Sequence, residues 1–217
     1  MSDDEQVELS DPLEHSVGGK GGHILRRTFH ISMSILPWMY YWQGQNITDW
    51  VNGLTGLELT RDIITSSMVF AVILGEALRL KMGVAVYGQR DYEANQVSAL
   101  AWGAFSVGVV CLACPKVGLH GAALGAPLIL SLSLGDPVLG EMRRNGVAEK
   151  NVMIFGTLFL AAIWSAGVIW LDTPWWVVPL FAPLGVLAEK PRLRWIDDNA
   201  TMLLIPLGLA ILIGPWF

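Results

Sequence analysis

The sequence predicts an all-α fold, a polytopic membrane helical bundle of about seven transmembrane helices with a cytoplasmic N-terminus. Three observations predict it. The 217-residue chain is 53% hydrophobic and only 15% charged, where a usual soluble domain carries about 25% charged residues, and its mean hydropathy is +0.48. Beyond about residue 97, long apolar runs are separated by short charged loops. Finally, the basic residues fall almost wholly on one side of the spans those runs define.

In chain order, the spans cover residues 28–42, 63–80, 97–114, 119–134, 152–171, 175–188 and 200–217. The first is short and aromatic at its far end. A polar stretch, 43–62, follows it and has room for a short interfacial helix; the Asn46-Ile-Thr48 sequon there is incidental. The sixth span is short and carries Pro179 and Pro183. With the N-terminus inside, 12 of the 14 Lys and Arg residues lie on the cytoplasmic side and only Arg61 and Lys116 lie outside, as the positive-inside rule demands. Trp38, Trp42, Trp50, Trp170, Trp175, Trp176 and Trp216 then gather near the outer interface as an aromatic belt.

The formal net charge of −5 is a property of the N-terminus, since six of the 19 acidic residues lie in the first 14 positions. Residues 1–22 read as a flexible acidic and Gly-rich tail, and 23–217 as a single transmembrane catalytic domain. The tail has no basic n-region followed by an apolar core, so no secretory signal is expected. No basic stripe with interleaved aromatics is present, so no nucleic-acid partner is expected. Cys111 and Cys114 end an apolar run and read as packing residues rather than a redox pair.

Four polar constellations fall on the cytoplasmic face. Glu76 and Arg79 are three residues apart on one helix face; they fit either an ion pair closing the helix or a phosphate or metal site. His30 shares a face with Arg26 and Arg27. Gly135, Asp136 and Pro137 form a helix-breaking turn that places a carboxylate beside a loop carrying Arg143 and Arg144. Glu189 is followed by Asp197, Asp198 and Asn199 at the start of the last span; one of these serves as a cap, and carboxylate and amide oxygens suit Mg²⁺. No Walker, Gly-x-Ser-x-Gly or His-Glu-x-x-His motif occurs.

Taken together, these elements resemble the CTP-dependent polyprenol kinase family, which includes dolichol kinase, phytol kinase and the yeast-type diacylglycerol kinase and is related to phosphatidate cytidylyltransferases. The similarity lies in Arg26, Arg27 and His30 before and inside the first span, in Glu76-Ala-Leu-Arg79, in Gly135-Asp136-Pro137, and in Glu189, Asp198-Asn199 and Pro206. It covers roughly residues 24–210 in matching order. The chain departs from the family at Leu139, Gly140 and Arg143, where an Ala and a later Gly are usual. It departs again at 149–156, which keeps Lys150 and Gly156 without the usual Ser and Glu; a part of the nucleotide site is thereby altered.

The resemblance implies an integral-membrane lipid kinase that transfers the γ-phosphate of CTP to a long-chain lipid alcohol at the cytoplasmic interface. It implies Mg²⁺ held by Asp136 and Asp198. Asp136, His30 and Glu76 are the implied catalytic residues, with His30 or Glu76 accepting the alcohol proton. Arg26, Arg27, Arg79, Gly135, Arg143, Arg144, Lys150, Glu189 and Asn199 are the implied nucleotide-binding residues. The partners would be a membrane lipid alcohol, a nucleoside triphosphate, the bilayer itself and, as a possible self-association, a second copy in a homodimer. Cytidylyl transfer to a lipid phosphate and a non-catalytic lipid-binding or transport role are the alternatives. The enzyme reading requires Asp136, Glu76 and Asp198 within about 12 Å of one another, the reach of one or two Mg²⁺ ions and their phosphates.

Overall fold

A computed structural model of the chain describes residues 15–191, 193 and 195–216. The acidic segment 1–14 and the loop arginines Arg192 and Arg194, counted above among the cytoplasmic charges, lie outside the described residues. Among those described, the fold is helical throughout, and its β-type pairing is one isolated antiparallel bridge between Ser16 and Arg90.

Helix α1 (Gly19–Ser32) leads through a 3-10 turn (Met33–Ile35) into α2 (Leu36–Tyr41). The first turn of α1 falls within the last residues of the 1–22 segment. Helix α3 (Gly44–Thr55) fills the polar stretch expected to hold a short helix. Helix α4 (Arg61–Met82) is capped at both ends: the Thr60 hydroxyl accepts from the Ile63 amide at 3.2 Å, and Gly83 closes it in the left-handed conformation (φ 65°) that glycine adopts without strain. Helix α5 (Ala99–Ala113) begins with a Ser98 cap accepting from the Ala101 amide at 3.2 Å.

Helix α6 (Gly125–Leu130) passes into a π-helical turn (Ser131–Gly135) and then into α7 (Asp136–Arg144). The turn expected at Gly135-Asp136-Pro137 is thus a widened helical turn, and Arg143 and Arg144 stand on a helix and not in a loop. The reason lies in Pro137. Its missing N–H and its ring disrupt a regular α-helical ladder, and one wide turn accommodates both without ending the helix. Helices α8 (Glu149–Trp170), α9 (Val178–Ala188, entered by a 3-10 turn) and α10 (Asp198–Ile213) complete the fold.

Among the described residues, three helical segments are long and apolar enough to cross a membrane: Arg61–Met82, Glu149–Trp170 and Asp198–Trp216. The other predicted spans fall on shorter or interrupted elements, including the 15-residue α5 and the broken α1–α2. Segment α6, with Gly125, Ala126, Pro127, Leu128 and Ile129 all buried, forms the centre and touches α2, α5, α8 and α10. Trp164 of α8 stacks on Phe181 of α9 with ring centroids 4.5 Å apart, and both are almost fully buried, an arrangement worth about 0.5–1.5 kcal/mol beyond the area it buries. By contrast, α4 buries only 6% of its most apolar window, so its apolar side chains face outward.

The connection from α4 to α5 is clamped by one buried arginine. Arg79 donates to both carboxylate oxygens of Glu76 (2.9 and 2.7 Å) and to the carbonyls of Val84, Glu93 and Gln96 (2.6, 2.7 and 2.8 Å). Glu76 also accepts from the Ser98 amide at 2.6 Å. The five donors of a guanidinium fork suit this cage, whereas an ammonium group would serve only part of it. Arg79→Ala is expected to destabilise the protein by about 3–5 kcal/mol, because it strands the Glu76 carboxylate and three carbonyls. Arg79→Lys should recover only part of the loss, as read by thermal unfolding of the detergent-solubilised chain.

Candidate metal and phosphate site

The π turn sets the direction in which Asp136 points. Asp136 opens α7 directly after it, with its side chain only 14% exposed, and its Oδ2 lies 3.3 Å from both Arg27 Nη1 and His30 Nδ1 on α1. Arg27 reaches it by crossing over Gly140: a Cβ built there would lie 2.5 Å from the guanidinium. Gly140 therefore leaves the path open, one turn past the aspartate. Gly135 is buried for a different purpose. A Cβ on it would meet Leu160 of α8 at 2.9 Å, so this glycine permits the close approach of α8.

Two further acids close on Asp136. Glu189, at the end of α9, is buried and held by both terminal nitrogens of Arg143, one of them 3.0 Å from Oε2. Arg143 also donates to Glu149 at 3.2 Å. Asp198 opens α10, immediately after Asp197, whose side chain caps the helix by accepting from the Asn199 amide at 3.0 Å. One oxygen each of Asp136, Glu189 and Asp198 lies within 4.8 Å of the others. Three hard carboxylate ligands converging from three helices, with one side left to solvent at Asp198, fit a divalent cation such as Mg²⁺ that keeps open positions for waters or phosphate oxygens. Arg27 and Arg143, which touch Asp136 and Glu189, supply two positive charges against three carboxylates, so the ionised cluster is left net negative.

The electrostatics follow from that crowding. Burial, reinforced by the Asp198 charge, pushes the Asp136 carboxyl up to about 6 against the pull of Arg27 and Arg26. Burial pushes Glu189 up to about 7 against its ion pair with Arg143. Asp197 is also raised, by burial first and then by Asp198. Like charges brought together out of water favour the neutral acids.

The structure brings together Arg27, His30, Asp136, Arg143, Glu189, Asp198 and Asn199 from the sequence-derived set. Arg26 joins through Glu93, which accepts its Nη1 at 2.7 Å. Glu76 and Arg79 are committed to the α4–α5 clamp described above; of the three acids required together, Asp136 and Asp198 converge, and the third member of the cluster is Glu189 in place of Glu76. Arg144 pairs with Glu141 on the exposed face of α7, and Lys150 is exposed at the start of α8. Two contributors escaped the sequence reading. Glu93 is an unremarkable acid in a polar loop until the fold buries it. Gly140 is one small residue among many, and its only signal was its spacing of four from Asp136.

His30 and Asn199 each keep a buried polar atom without a hydrogen-bond partner, His30 Nε2 and Asn199 Oδ1, and Glu93 does the same at Oε2. Asn199 spends its amide nitrogen on the Ala99 carbonyl at 3.2 Å, which orients the oxygen away from that bond.

Two outcomes are expected. A raised carboxylate pKa in the folded state contributes stability that is full below the unfolded values, about 4, and is lost as pH rises through 6 to 7. The cation-free protein should therefore lose stability over that window. Mg²⁺, which needs the ionised carboxylates, should shift the unfolding temperature more at about pH 8 than at about pH 5. Gly140→Ala gains about 1 kcal/mol of helix propensity but displaces Arg27 from Asp136, so it should leave stability near the wild-type value at about pH 5, where Asp136 is protonated, and lower it at about pH 8. By pushing Arg27 off Asp136 it should move the midpoint of Mg²⁺ binding to higher pH, as read by the same Mg²⁺-dependent unfolding series.

Comparison with known proteins adds no relative: no protein-family model, no curated protein and no solved structure matches this chain.

Proposed function

We propose that this chain is a multi-pass integral membrane enzyme whose site faces the cytoplasm, and that it transfers the γ-phosphate of a nucleoside triphosphate, CTP by the resemblance described above, to a long-chain lipid alcohol. The observation that carries this reading is the convergence of Asp136, Glu189 and Asp198 within 4.8 Å, ringed by arginines at the helix ends that the charge distribution assigns to the inner face. About seven crossings with 12 of 14 basic residues inside is the topology this reading adopts.

In this scheme Asp136, Glu189 and Asp198 hold Mg²⁺, which when bound supplies charge neutralisation to the triphosphate. Arg27 and Arg143 hold the Asp136 and Glu189 carboxylates in place. The exposed Arg144 and Lys150 meet the phosphates as they enter and balance the charge that develops on the leaving diphosphate. His30, oriented through Nδ1 by Asp136, accepts the hydroxyl proton at Nε2. The hydroxyl oxygen forms a bond to the γ-phosphorus as the bond from that phosphorus to the β,γ-bridging oxygen breaks, and the nucleoside diphosphate leaves. The free Nε2 of His30 supports it over Glu76 as the base, since both Glu76 oxygens are engaged.

The test supplies purified protein and Mg²⁺ with γ-labelled or α-labelled CTP and a mixture of polyprenol, diacylglycerol and phosphatidate. Label from the γ position should enter the alcohol fraction, and Asp136→Asn should lower it by at least about 100-fold, the scale of losing a group that stabilises developing charge. Label entering lipid only from the α position would make the protein a cytidylyltransferase, and transfer of neither would remove the enzyme reading.

A further inference from the structure

Arg26, Arg27, Arg61, Arg79, Arg143 and Arg144 each reach a carboxylate within ion-pair distance. Arg90, in the loop before α5, is the one arginine among the described residues that does not. Its guanidinium lies over the Tyr92 ring, 5.7 Å from the centroid, and donates to the Tyr92 hydroxyl. That bond uses one of a guanidinium's five N–H donors on a neutral partner, although the residue is half-buried. A guanidinium withdrawn from water without an anion is costly, and the other arginines of this chain show the usual remedy.

The fold nevertheless fixes Arg90 from both sides. Residues 15–17 lie antiparallel to 89–91: the Val17 amide donates to the Gln89 carbonyl and the Asp91 amide to the His15 carbonyl, both at 2.8 Å. Tyr87 lies across the glycines that follow, since a Cβ would stand 2.1 Å from its ring at Gly18 and 2.3 Å from its hydroxyl at Gly21. The glycine-rich run 17–22 is therefore a strap over the loop that carries Arg90. On the other side of that loop, Arg79 holds the Glu93 carbonyl at 2.7 Å. Burial opposes the charge of Arg90, whereas the Tyr92 oxygen, Asp198 and Asp197 favour it, and Asp136 feels Arg90 together with Arg27 and Arg26. Arg90 thus stands in the field of the carboxylate cluster without closing on any of its acids.

We propose that Arg90 is a phosphate-binding arginine: its unused N–H donors take oxygens of a phosphate group that a cation on Asp136, Glu189 and Asp198 holds from the other side. A phosphate oxyanion supplies the anion that Arg90 lacks, and the planar guanidinium fork matches two of its oxygens. The ionised cluster alone is net negative and repels such a group, so cation and arginine act together. This rests on the reading of the cluster as a cation site for phosphotransfer, and it adds a binding residue that none of the sequence motifs assigned. A soluble polyphosphate and a lipid phosphate offer the same oxygens.

Two probes separate those sources: inorganic triphosphate added to the full chain in phosphatidylcholine nanodiscs, and phosphatidate doped into the nanodisc. Binding is read by thermal unfolding with Mg²⁺ present at about pH 8, where the carboxylates are ionised. Arg90→Gln should weaken triphosphate binding by about 10- to 100-fold, the scale of hydrogen bonds to a charged group, and Arg90→Lys should recover part of it. Mg²⁺ alone should bind Arg90→Gln about 3-fold more tightly than the wild type, since a positive charge near the cluster is gone. A merely structural arginine would weaken both when removed, so the opposite signs are the signature. Arg90-dependent binding of phosphatidate in place of triphosphate would keep the phosphate site and make the lipid its source. No binding of either probe, equal affinity of wild type and Arg90→Gln for both, or loss of Mg²⁺ and triphosphate binding together would overturn the proposal. Equal affinity with Mg²⁺ binding intact leaves the cluster reading standing. Arg90-dependent triphosphate binding by a chain that transfers no label removes the phosphotransfer reading and leaves the phosphate site.

Discussion

Asp136 is the charge around which the rest is arranged. A carboxylate that is 14% exposed and has two other acids within reach is held in the fold only if cations and donors surround it. Arg27 and His30 come to it from α1, Glu189 arrives already paired to Arg143 from α7, and Asp198 arrives at the start of α10. Four helices therefore have their ends placed by one electrostatic requirement. The arrangement is not optimal for stability on its own: crowded acids favour protonation. Acids crowded in this way couple the stability of the fold to pH, since each proton released adds repulsion.

Close packing makes that placement rigid. At Gly135 and Gly185 a Cβ would run into Leu160, and at Gly156 into Leu139 at 2.3 Å, so α7, α8 and α9 touch almost backbone to side chain. Small residues allow such approach in membrane helices, where hydrophobic driving force between helices is weak and van der Waals contact dominates. Leu139 and Leu160 are fully buried. The π turn before Asp136 and the glycine path for Arg27 are local departures from regular helix, and both sit at the site, where strain of this kind concentrates.

A relay of buried polar groups connects the site to the α4–α5 clamp. Arg79 holds the Glu93 carbonyl, the Glu93 carboxylate holds Arg26, and Arg26 precedes Arg27 on α1. Through these contacts the pairing of Glu76 with Arg79 fixes the loop that carries Glu93 against α1. Outside this framework α4 turns apolar side chains outward, as a helix facing lipid does.

By itself the amino-acid sequence determined what composition and periodicity control. Low charge and long apolar runs require backbone groups to be satisfied internally, so the fold had to be helical. The charged groups had to collect at helix ends, which made Asp136, Glu189 and Asp198 visible as candidates. Tertiary structure decided the rest, because distance between elements is not written in local pattern. It brought three acids from three helices to within 4.8 Å, and it withdrew Glu76 and Arg79 into a loop clamp although their spacing looked equally functional. Gly135-Asp136-Pro137 reads locally as a chain-breaking turn, yet packing of α6 and α7 against α8 makes continued helix the better solution and absorbs the proline in one wide turn. Glu93 carries no signal of its own in a polar loop; only the fold buries it and makes it the ion-pair partner of Arg26.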